Sequence, residues 1–585
     1  MRPLSSLALL ALPLALLDCH SHDTPPIVPD LDCDGGPSGW PQWALGAQHQ
    51  GTTCASGNAL SAILFTDVVD ANAAGEETEA QGNLLVHYQQ PLISGGDVYM
   101  EHKAGQYQPC TPPGSGAAGC GPQAWNWQSW SERAYSWSNQ SVSRLWDYAS
   151  DWVPPPDGPT LSGWEPVFHA AINGSELDIP AANGAIDRVD RMTGARIARV
   201  DPFNGASVNA FVVSPISVDS SGDSYYTVLI LDPTDPWEAN GPNATTQGLL
   251  IKVAPDGTST SVSFTGLIPA APASSALCQS SFGMTVPYPH PPPNVNGQPV
   301  AAPQIPCGAQ RPQINSAPAI GPDGAVYLVS RAHRAERDNF LVALNPDLSL
   351  RWAASFKHLL HDGCGVTLPM DGLDTDCSTT AMLGVDPDTN DAPTPRVNDQ
   401  STASPVALPD GSVLYGSLTI YNDFRGHLLK FDSSGRFVTS YNFGWDITPA
   451  VFPHGATYSI VTKDNRYGSG PYTLTQLDAS LNPEWEFASF NTDSCGRNPQ
   501  GTVQCVNDHP YGFEWCVNSV AVDKGGVVYA NSEDGNLYAI NPGGAFRDRI
   551  FLNLALGAAY TPLSIDDAGH IYTQNDGSLY VVGAP

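Results

Sequence analysis

The segment NSVAVDKGGVVYANSEDGNLYAINPGG, residues 518–544, alternates apolar and polar residues and is interrupted by two polar, glycine-containing triplets. The triplets are Lys524-Gly525-Gly526 and Glu533-Asp534-Gly535. Alternation with a period of two is typical of half-buried strands, and such triplets are typical of tight turns. The segment therefore predicts three short antiparallel strands, which need a packing partner because three strands cannot bury two faces alone.

The same pattern recurs along the chain, often as Ser-Pro or Thr-Pro, an apolar strand, a Pro/Asp/Gly turn and a strand that contains tyrosine. The eight copies begin at Gln90, Glu165, Ser214, Ala317, Ser404, Thr448, Asn518 and Thr561. Each of the first seven is followed by a second hairpin, and the smallest spacing is about 43 residues, which is typical of propeller blades. The sequence predicts an all-β, eight-bladed β-propeller of four-stranded antiparallel blades.

The eighth copy lacks a fourth strand. Its predicted strands are 561–566, 570–574 and 578–583, after which the sequence ends. The strand-like run ALSAILFTDVVD at 59–70 has no hairpin of its own. We expect this N-terminal strand to complete the last blade and so remove an exposed sheet edge; the alternative is an unrelated strand.

The N-terminal sequence has the pattern of an export signal. One arginine precedes an apolar run that is too short to span a bilayer, so residues 1–18 are predicted to be a signal peptide. Cys19 resembles a lipoprotein cleavage site, although Asp18 before it is atypical. The predicted organisation is a leader at 19–58 and one propeller at 59–585, secreted, periplasmic or lipid-anchored at the outer membrane.

The charge of the chain argues against some partners. There are 58 acidic and 25 basic residues, a net charge of −33. This charge would repel nucleic acid and anionic membranes over most of the surface. We therefore expect no nucleic-acid partner, and membrane contact only through a lipid on Cys19. The acidity is explained either by solubility or by calcium binding.

Twelve cysteines are present without a CxxC motif, and export favours disulfides over metal ligation. Spacing predicts five pairs, with Cys516 as an alternative member of the last: Cys33–Cys54, Cys110–Cys120, Cys278–Cys307, Cys364–Cys377 and Cys495–Cys505.

Together with WPQWALGAQHQG at 40–51, the blade pattern resembles the PQQ-repeat, quinoprotein alcohol dehydrogenase-like propellers. It also resembles their non-enzymatic relatives, such as the lipoprotein of the outer-membrane barrel-assembly machinery. The enzymatic members would imply pyrroloquinoline quinone in the channel with calcium, a stacking tryptophan, an acidic base and often adjacent disulfide-bonded cysteines. This chain has no Cys-Cys sequence, and the calcium-binding Glu, Asn and catalytic Asp cannot be matched. The quinone is therefore not expected.

In a propeller, connections between the second and third strands of a blade, and between blades, lie on one face. The long segments 104–131, 231–247, 266–314, 358–403 and 491–515 all belong to these classes, whereas the other turns are short. Because function tends to lie on loops held by a rigid framework, this face is the predicted binding face. The alternative is that the loops only cap the channel or mediate assembly.

Aromatic residues on one of these segments suggest a ligand. Trp125, Trp127 and Trp130 could stack on sugar rings or on aromatic side chains of a peptide; packing is the alternative.

Acidic residues suggest calcium in two places. Asp30, Asp32 and Asp34 begin a DxDxDG-type loop, but Pro41 stands where a twelfth-position glutamate is needed. Asp386, Asp388 and Asp391 form a second acidic loop; aspartate is also common in turns.

Histidines offer two further candidates. His358 and His361 could bind zinc or manganese if the chain turns there, or be ordinary loop residues. Asp508 and His509 could form an acid/base pair, although no nucleophile motif accompanies them.

The sequence thus predicts an exported binding or scaffolding protein that recognises a protein or glycan through one face. The alternative is an enzyme at the channel mouth, either a polysaccharide lyase or hydrolase or a divergent quinone-dependent dehydrogenase.

Overall fold

In the computed structural model, eight antiparallel sheets of four or five strands are arranged in a ring. The structure describes the following residues: 33, 39–107, 125, 127–138, 141–206, 208–237, 246–279, 304–357, 359, 395–418, 425–466, 470–497, 500, 502–557 and 561–584. Six sheets have four strands, and two have five because the innermost position is split into two short strands. The predicted all-β, eight-bladed architecture is confirmed.

The strands of each blade run in order from the inner edge of the ring to its outer edge. Blade 1 contains Leu92–Ser94, Asp97–Gly105, Gln128–Ser138 and Ser141–Ala149. Blade 2 contains Ala171–Asn173, Glu176–Pro180, Ile186–Asp190 and Arg196–Val200. Blade 3 contains Ala210–Val212 with Ser217–Val218, then Ser224–Ile230, Gln247–Val253 and Ser259–Ser263. Blade 4 contains Gln310–Pro312 with Ala319–Ile320, then Val326–Ala332, Asn339–Leu344 and Leu350–Ser355.

The second half of the ring repeats this arrangement. Blade 5 contains Val406–Ala407, Val413–Leu418, Gly426–Phe431 and Phe437–Phe443. Blade 6 contains Ala450–His454, Thr457–Asn465, Tyr472–Leu477 and Pro483–Ala488. Blade 7 contains Ala521–Val522, Val528–Asn531, Asn536–Asn541 and Ala545–Phe551. Blade 8 contains Leu563–Ile565, Ile571–Asn575, Ser578–Gly583 and Ala62–Val68.

The N-terminal strand closes the ring as the sequence predicts. Ala62–Val68 pairs antiparallel with Ser578–Gly583, from Ala62 opposite Gly583 to Val68 opposite Ser578. Both ends of the propeller therefore share one sheet. A helix, Ala73–Glu79, and a 3-10 turn, Ala182–Gly184, are the helical elements among the described residues.

Outer-strand tryptophans join neighbouring blades. A Cβ atom added to Gly435 in blade 5 would lie 2.6 Å from the ring of Trp352 in blade 4. One added to Gly194 in blade 2 would lie 2.7 Å from Trp146 in blade 1. Both glycines have positive φ, +82° and +70°, so the turn needs glycine for backbone reasons as well. Trp485 packs against blade 7 in the same manner.

The two faces of the ring are built differently. The short-turn face carries the turns between first and second and between third and fourth strands, such as 219–223 and 345–349. The loop face carries the remaining connections, which include the long segments. The direction of every strand therefore places the described ends of the long connections on the loop face.

Residues 39–58, placed in a leader by the sequence, run once around the channel on the short-turn face. The backbone of Trp40 pairs in both directions with Ile93 of blade 1, at 2.8 and 2.9 Å. Further hydrogen bonds join the segment, in chain order, to Ile172, Val218, Ile320, Ala407, Val451, Val522 and Gly569 of blades 2 to 8. Each of these residues lies in or beside the first turn of its blade. The segment thus links all eight blades; we call it the sealing segment.

Candidate functional site

Two additional hairpins extend from the loop face. Leu277–Gln279 pairs with Gln304–Pro306 between blades 3 and 4, and Asp493–Arg497 pairs with Val503–Asn507 between blades 6 and 7. The disulfide Cys278–Cys307 closes the first, and Cys495–Cys505 crosses the second. The hairpins follow different blades, and Arg497 of the second donates to Phe551 O on the outer strand of blade 7 at 3.2 Å.

The second hairpin, residues 493–507, presents apolar side chains to solvent. Val503 is 40% exposed, Val506 is 65% exposed, and nearby Tyr511 is 66% exposed. The hairpin has only two strands, and its second strand is exposed throughout. These side chains therefore face solvent and do not pack into the core of the ring.

The three tryptophans that the sequence proposes as a stacking platform lie in different environments. Trp130 is 1% exposed and contacts Trp152 edge-on, with ring centroids 5.0 Å apart. Trp125 is 6% exposed, whereas Trp127 is 62% exposed. Trp127 is therefore the only one of the three whose ring is largely available to a ligand, and the other two pack in the core.

Asp508 and His509 form the pair that the sequence proposes. His509 Nδ1 lies 2.6 Å from Asp508 Oδ1, and its ring stacks on Phe513 at 3.9 Å. Ser494 Oγ donates to the other oxygen, Asp508 Oδ2, at 2.7 Å. These hydrogen bonds lower the pKa of Asp508. The serine binds the carboxylate and not the imidazole, so this group is a hairpin anchor and lacks the order of a serine-hydrolase triad.

Several predicted residues lie outside the described part of the chain. They are His358, His361, Asp30, Asp32, Asp34, Asp386, Asp388, Asp391, Cys19, Cys110, Cys120, Cys364 and Cys377. The disulfide Cys33–Cys54 joins Cys33 to Cys54 of the sealing segment. Cys516, considered as an alternative partner of the Cys495–Cys505 pair, is a buried free thiol.

The channel is crossed by polar contacts between distant blades. His87 Nε2 lies 3.1 Å from Asp446 Oδ2, although His87 precedes the inner strand of blade 1 and Asp446 that of blade 6. Both side chains are fully buried. Asp446 Oδ1 also accepts from Thr402 N at 2.7 Å and Ser401 Oγ at 3.0 Å. Trp164 stacks on His87 with centroids 4.9 Å apart.

These contacts bear on the quinone that the family resemblance implies. A stacked quinone needs an open aromatic face, and the chemistry needs a carboxylate free to accept a proton. In this channel the face of Trp164 is covered by His87, and the carboxylate of Asp446 accepts four hydrogen bonds. The expectation that the chain does not bind the quinone stays a prediction.

A buried cluster around Lys103 lies beneath the loop face at blades 8, 1 and 2. Lys103 Nζ is 2.8 Å from Asp70 Oδ2, 2.9 Å from Glu76 Oε1 and 3.1 Å from Glu165 Oε1. One ammonium thus faces three carboxyl groups. Burial raises the pKa of Glu165 to about 8 and also raises that of Glu76, against the opposing effect of Lys103. Burial therefore favours the protonated form of Glu165 at neutral pH.

Two more buried glutamates adjoin this cluster. The backbone N–H of Gln89 donates to Glu101 at 2.9 Å, and its side-chain Nε2 donates to Glu132 at 2.8 Å. Burial raises the pKa of Glu132 to about 8 and that of Glu101 well above its usual value. The alternation of Glu101 and Lys103 on a strand was the available sequence signal, because it places charges on a face that should be buried.

A second acidic group surrounds Cys516 at blades 6 and 7. Burial raises the pKa of the Cys516 thiol and, with the nearby Glu533, raises that of Glu514 to about 8. The Glu533 carboxylate accepts from Gly557 N at 2.9 Å. Burial lowers the pKa of Lys463. The thiol is therefore protonated and unreactive at neutral pH.

Among the residues that the structure describes, no three His, Cys, Asp or Glu side chains are arranged to hold a metal ion. The helices of the same residues are too short or too polar to cross a membrane.

A comparison with one solved structure supports the propeller fold. Quinohemoprotein alcohol dehydrogenase from Comamonas testosteroni is similar at 10% identity and a TM-score of 0.50, over 94% of this chain and 81% of that one. A europium-containing methanol dehydrogenase has a TM-score of 0.47 at 9% identity, covering 92% and 89% of the two chains. BamB from Moraxella catarrhalis has a TM-score of 0.37 at 13% identity, covering 77% and 94%. At 10% identity the likeness to the Comamonas testosteroni enzyme shows the fold alone.

No protein-family model matches the chain. No curated protein matches it either.

Proposed function

We propose that this chain is an extracytoplasmic binding protein that recognises a protein partner through its loop face. One observation carries the proposal: the sealing segment links all eight blades on the short-turn face, whereas cross-linked hairpins with exposed apolar side chains extend from the loop face. Apolar side chains held out on rigid hairpins favour protein recognition, because their ordering entropy has already been lost.

The compartment is inferred from the cysteines. Cys33–Cys54, Cys278–Cys307 and Cys495–Cys505 are disulfides. Disulfides persist mainly in oxidising compartments outside the cytosol. Together with the predicted signal at 1–18, they support an exported protein. Lipidation of Cys19, calcium binding and a glycan on Trp127 remain predictions.

The proposal is tested by placing a charge on each surface in turn. Val506→Asp alters the second hairpin, and Ile197→Asp is the matched control because Ile197 is 55% exposed on the outer strand of blade 2. Each full-length variant is expressed in the native cells and sized after gentle detergent extraction. We expect wild type and Ile197→Asp to migrate in a complex larger than the monomer, and Val506→Asp to migrate as a monomer.

Two results would contradict the proposal. One is a wild-type protein that is monomeric under all extraction conditions. The other is equal loss of the complex in both variants, which would show that the loop face has no special part in assembly.

A further inference from the structure

A buried arginine pair lies beneath the loop face at blade 4. Arg311 forms two parallel hydrogen bonds to Asp399, Nη1 to Oδ1 at 2.9 Å and Nη2 to Oδ2 at 2.6 Å. Arg331 Nη1 reaches the same Asp399 Oδ2 at 3.1 Å. All three side chains are fully buried. Two guanidinium groups therefore share one carboxylate in a region from which water is excluded.

The hydrogen-bonding capacity of Arg331 is only partly used. Its Nε donates to Ala332 O at 3.1 Å, and its Nη1 donates to Val397 O at 3.2 Å as well as to Asp399. Its Nη2 has no hydrogen-bond partner among the described residues. A buried guanidinium N–H without an acceptor is costly, so an acceptor is expected there.

His333 is an uncharged member of this group. Arg311 Nε donates to His333 Nδ1 at 3.1 Å, so Nδ1 is the accepting nitrogen. Nε2 then carries the proton and donates to Pro236 O at 3.2 Å. Burial and the adjacent arginines lower the pKa of His333 to about 3. The imidazole is therefore neutral.

The group reaches the surface at Arg396 and Glu336, whose side chains are 16% and 17% exposed. Glu336 accepts from Arg396 and lies 3.7 Å from Arg331 Nη1. Within this hydrogen-bonded group, three guanidinium groups, those of Arg311, Arg331 and Arg396, face two carboxylates, those of Asp399 and Glu336. Positive charge thus exceeds negative charge within the group, in a chain whose net charge is −33.

We propose that this arginine group is a binding site for a small oxyanion, such as phosphate, sulfate or the carboxylate of a ligand. Arg331 Nη2 supplies the buried donor, and Arg396, whose side chain is 16% exposed, supplies the guanidinium nearest the surface. Guanidinium groups match the oxygen spacing of these anions, and a buried donor binds them more strongly than an exposed one. The site is independent of the proposed protein partner.

The test uses the full-length protein in sodium phosphate, sodium sulfate and sodium chloride at equal ionic strength. Thermal shift and titration calorimetry measure binding to wild type, Arg331→Gln, Arg396→Gln and a control, Arg351→Gln. Arg351 is an exposed arginine paired with Asp323 on the short-turn face. We expect a saturable rise in melting temperature with phosphate or sulfate but not with chloride. We expect affinity to fall about fivefold or more in Arg396→Gln, with no change in the control.

Arg331→Gln should abolish oxyanion binding. If the Arg331→Gln protein does not fold, the affinity of Arg396→Gln tests the proposal. Phosphate and sulfate effects no greater than that of chloride would overturn the proposal. So would unchanged affinity in Arg396→Gln, or an equal loss in Arg351→Gln.

Discussion

The short-turn face and the loop face of this propeller are made from the same blades and differ in almost every other respect. On the short-turn face, one segment contacts every blade, and its tryptophans Trp40 and Trp43 are fully buried. On the loop face, long connections carry disulfides and expose Val506 and Tyr511. The contacts that stabilise the ring through apolar packing and backbone hydrogen bonds are thus concentrated on the short-turn face. The connections on the loop face can therefore differ in length and sequence.

The loop side also carries buried charge of both signs. Around Lys103 the carboxyl groups are in excess, and their pKa values are raised. Around Asp399 the guanidinium groups are in excess, and they hold the pKa of Asp399 well below its usual range. Buried groups of this kind seldom add to stability compared with apolar packing, so binding or specificity is a better explanation for them.

Removing a tryptophan from each face should give the largest difference. Trp43 is fully buried and donates to Thr448 Oγ1 at 3.1 Å. Trp43→Ala should cost about 3 to 5 kcal/mol in free energy of unfolding, as for other buried tryptophans. Trp127→Ala on the loop face should change it by less than about 0.5 kcal/mol. Denaturant titration measures both, and equal costs would refute the division of roles between the faces.

Lys103→Met tests the acidic cluster. Removing the ammonium from among three buried carboxyl groups should cost about 3 to 5 kcal/mol at pH 8. The cost should be smaller at pH 5, because Glu165, whose pKa is raised to about 8, is then protonated. Lys252→Met, which removes a partly exposed partner of Asp223, should cost about 1 kcal/mol or less. A cost for Lys103→Met that is independent of pH would contradict this interpretation.

The pH dependence of stability follows from the raised carboxyl pKa values. The pKa of Glu132 and of Glu165 is about 8 in the folded state and about 4.5 in the unfolded state. The folded state therefore holds these protons more tightly, and the free energy of unfolding falls as pH rises from about 4.5 to 8. Asp399 acts oppositely, since its contribution is present above a pH of about 4 and lost below it. Melting temperature should therefore be highest near pH 5.

Glu132→Gln isolates one of these groups. The neutral amide should raise stability by about 1 to 3 kcal/mol at pH 8 and change it little at pH 5. Glu486→Gln, on the exposed outer strand of blade 6, is the control and should change stability by less than about 0.5 kcal/mol. A loss of stability at pH 8 in Glu132→Gln would show that the carboxylate is charged and needed.

The smallest effect is expected for the hairpin disulfide. Replacing Cys495 and Cys505 with serine removes a short cross-link outside the core, so global stability should fall by less than about 1 kcal/mol. Hydrogen exchange should nevertheless become faster at residues 493–507. Faster exchange throughout blades 6 and 7 would instead show that the hairpin supports the ring.

The sequence predicted most of the fold but few of the buried polar contacts. The turns around Gly411 and Gly526 recur at blade spacing, so local turn signals and alternation predicted every blade and the closing strand. The sealing segment was placed in a leader because its hydrogen bonds reach Ile172 or Val451 far along the chain, and no local pattern encodes such contacts. The same reason hides the His87–Asp446 pair and the arginine group at Asp399.

The central claim is that recognition occurs on the loop face. A photo-crosslinking residue at Tyr511 on the loop face and one at Met192 on the short-turn face compare sites of similar exposure, 66% and 62%. After irradiation of native cells, we expect one discrete cross-linked polypeptide from position 511 and none from position 192. Cross-linking from position 192 alone, or equal cross-linking from both, would contradict the account.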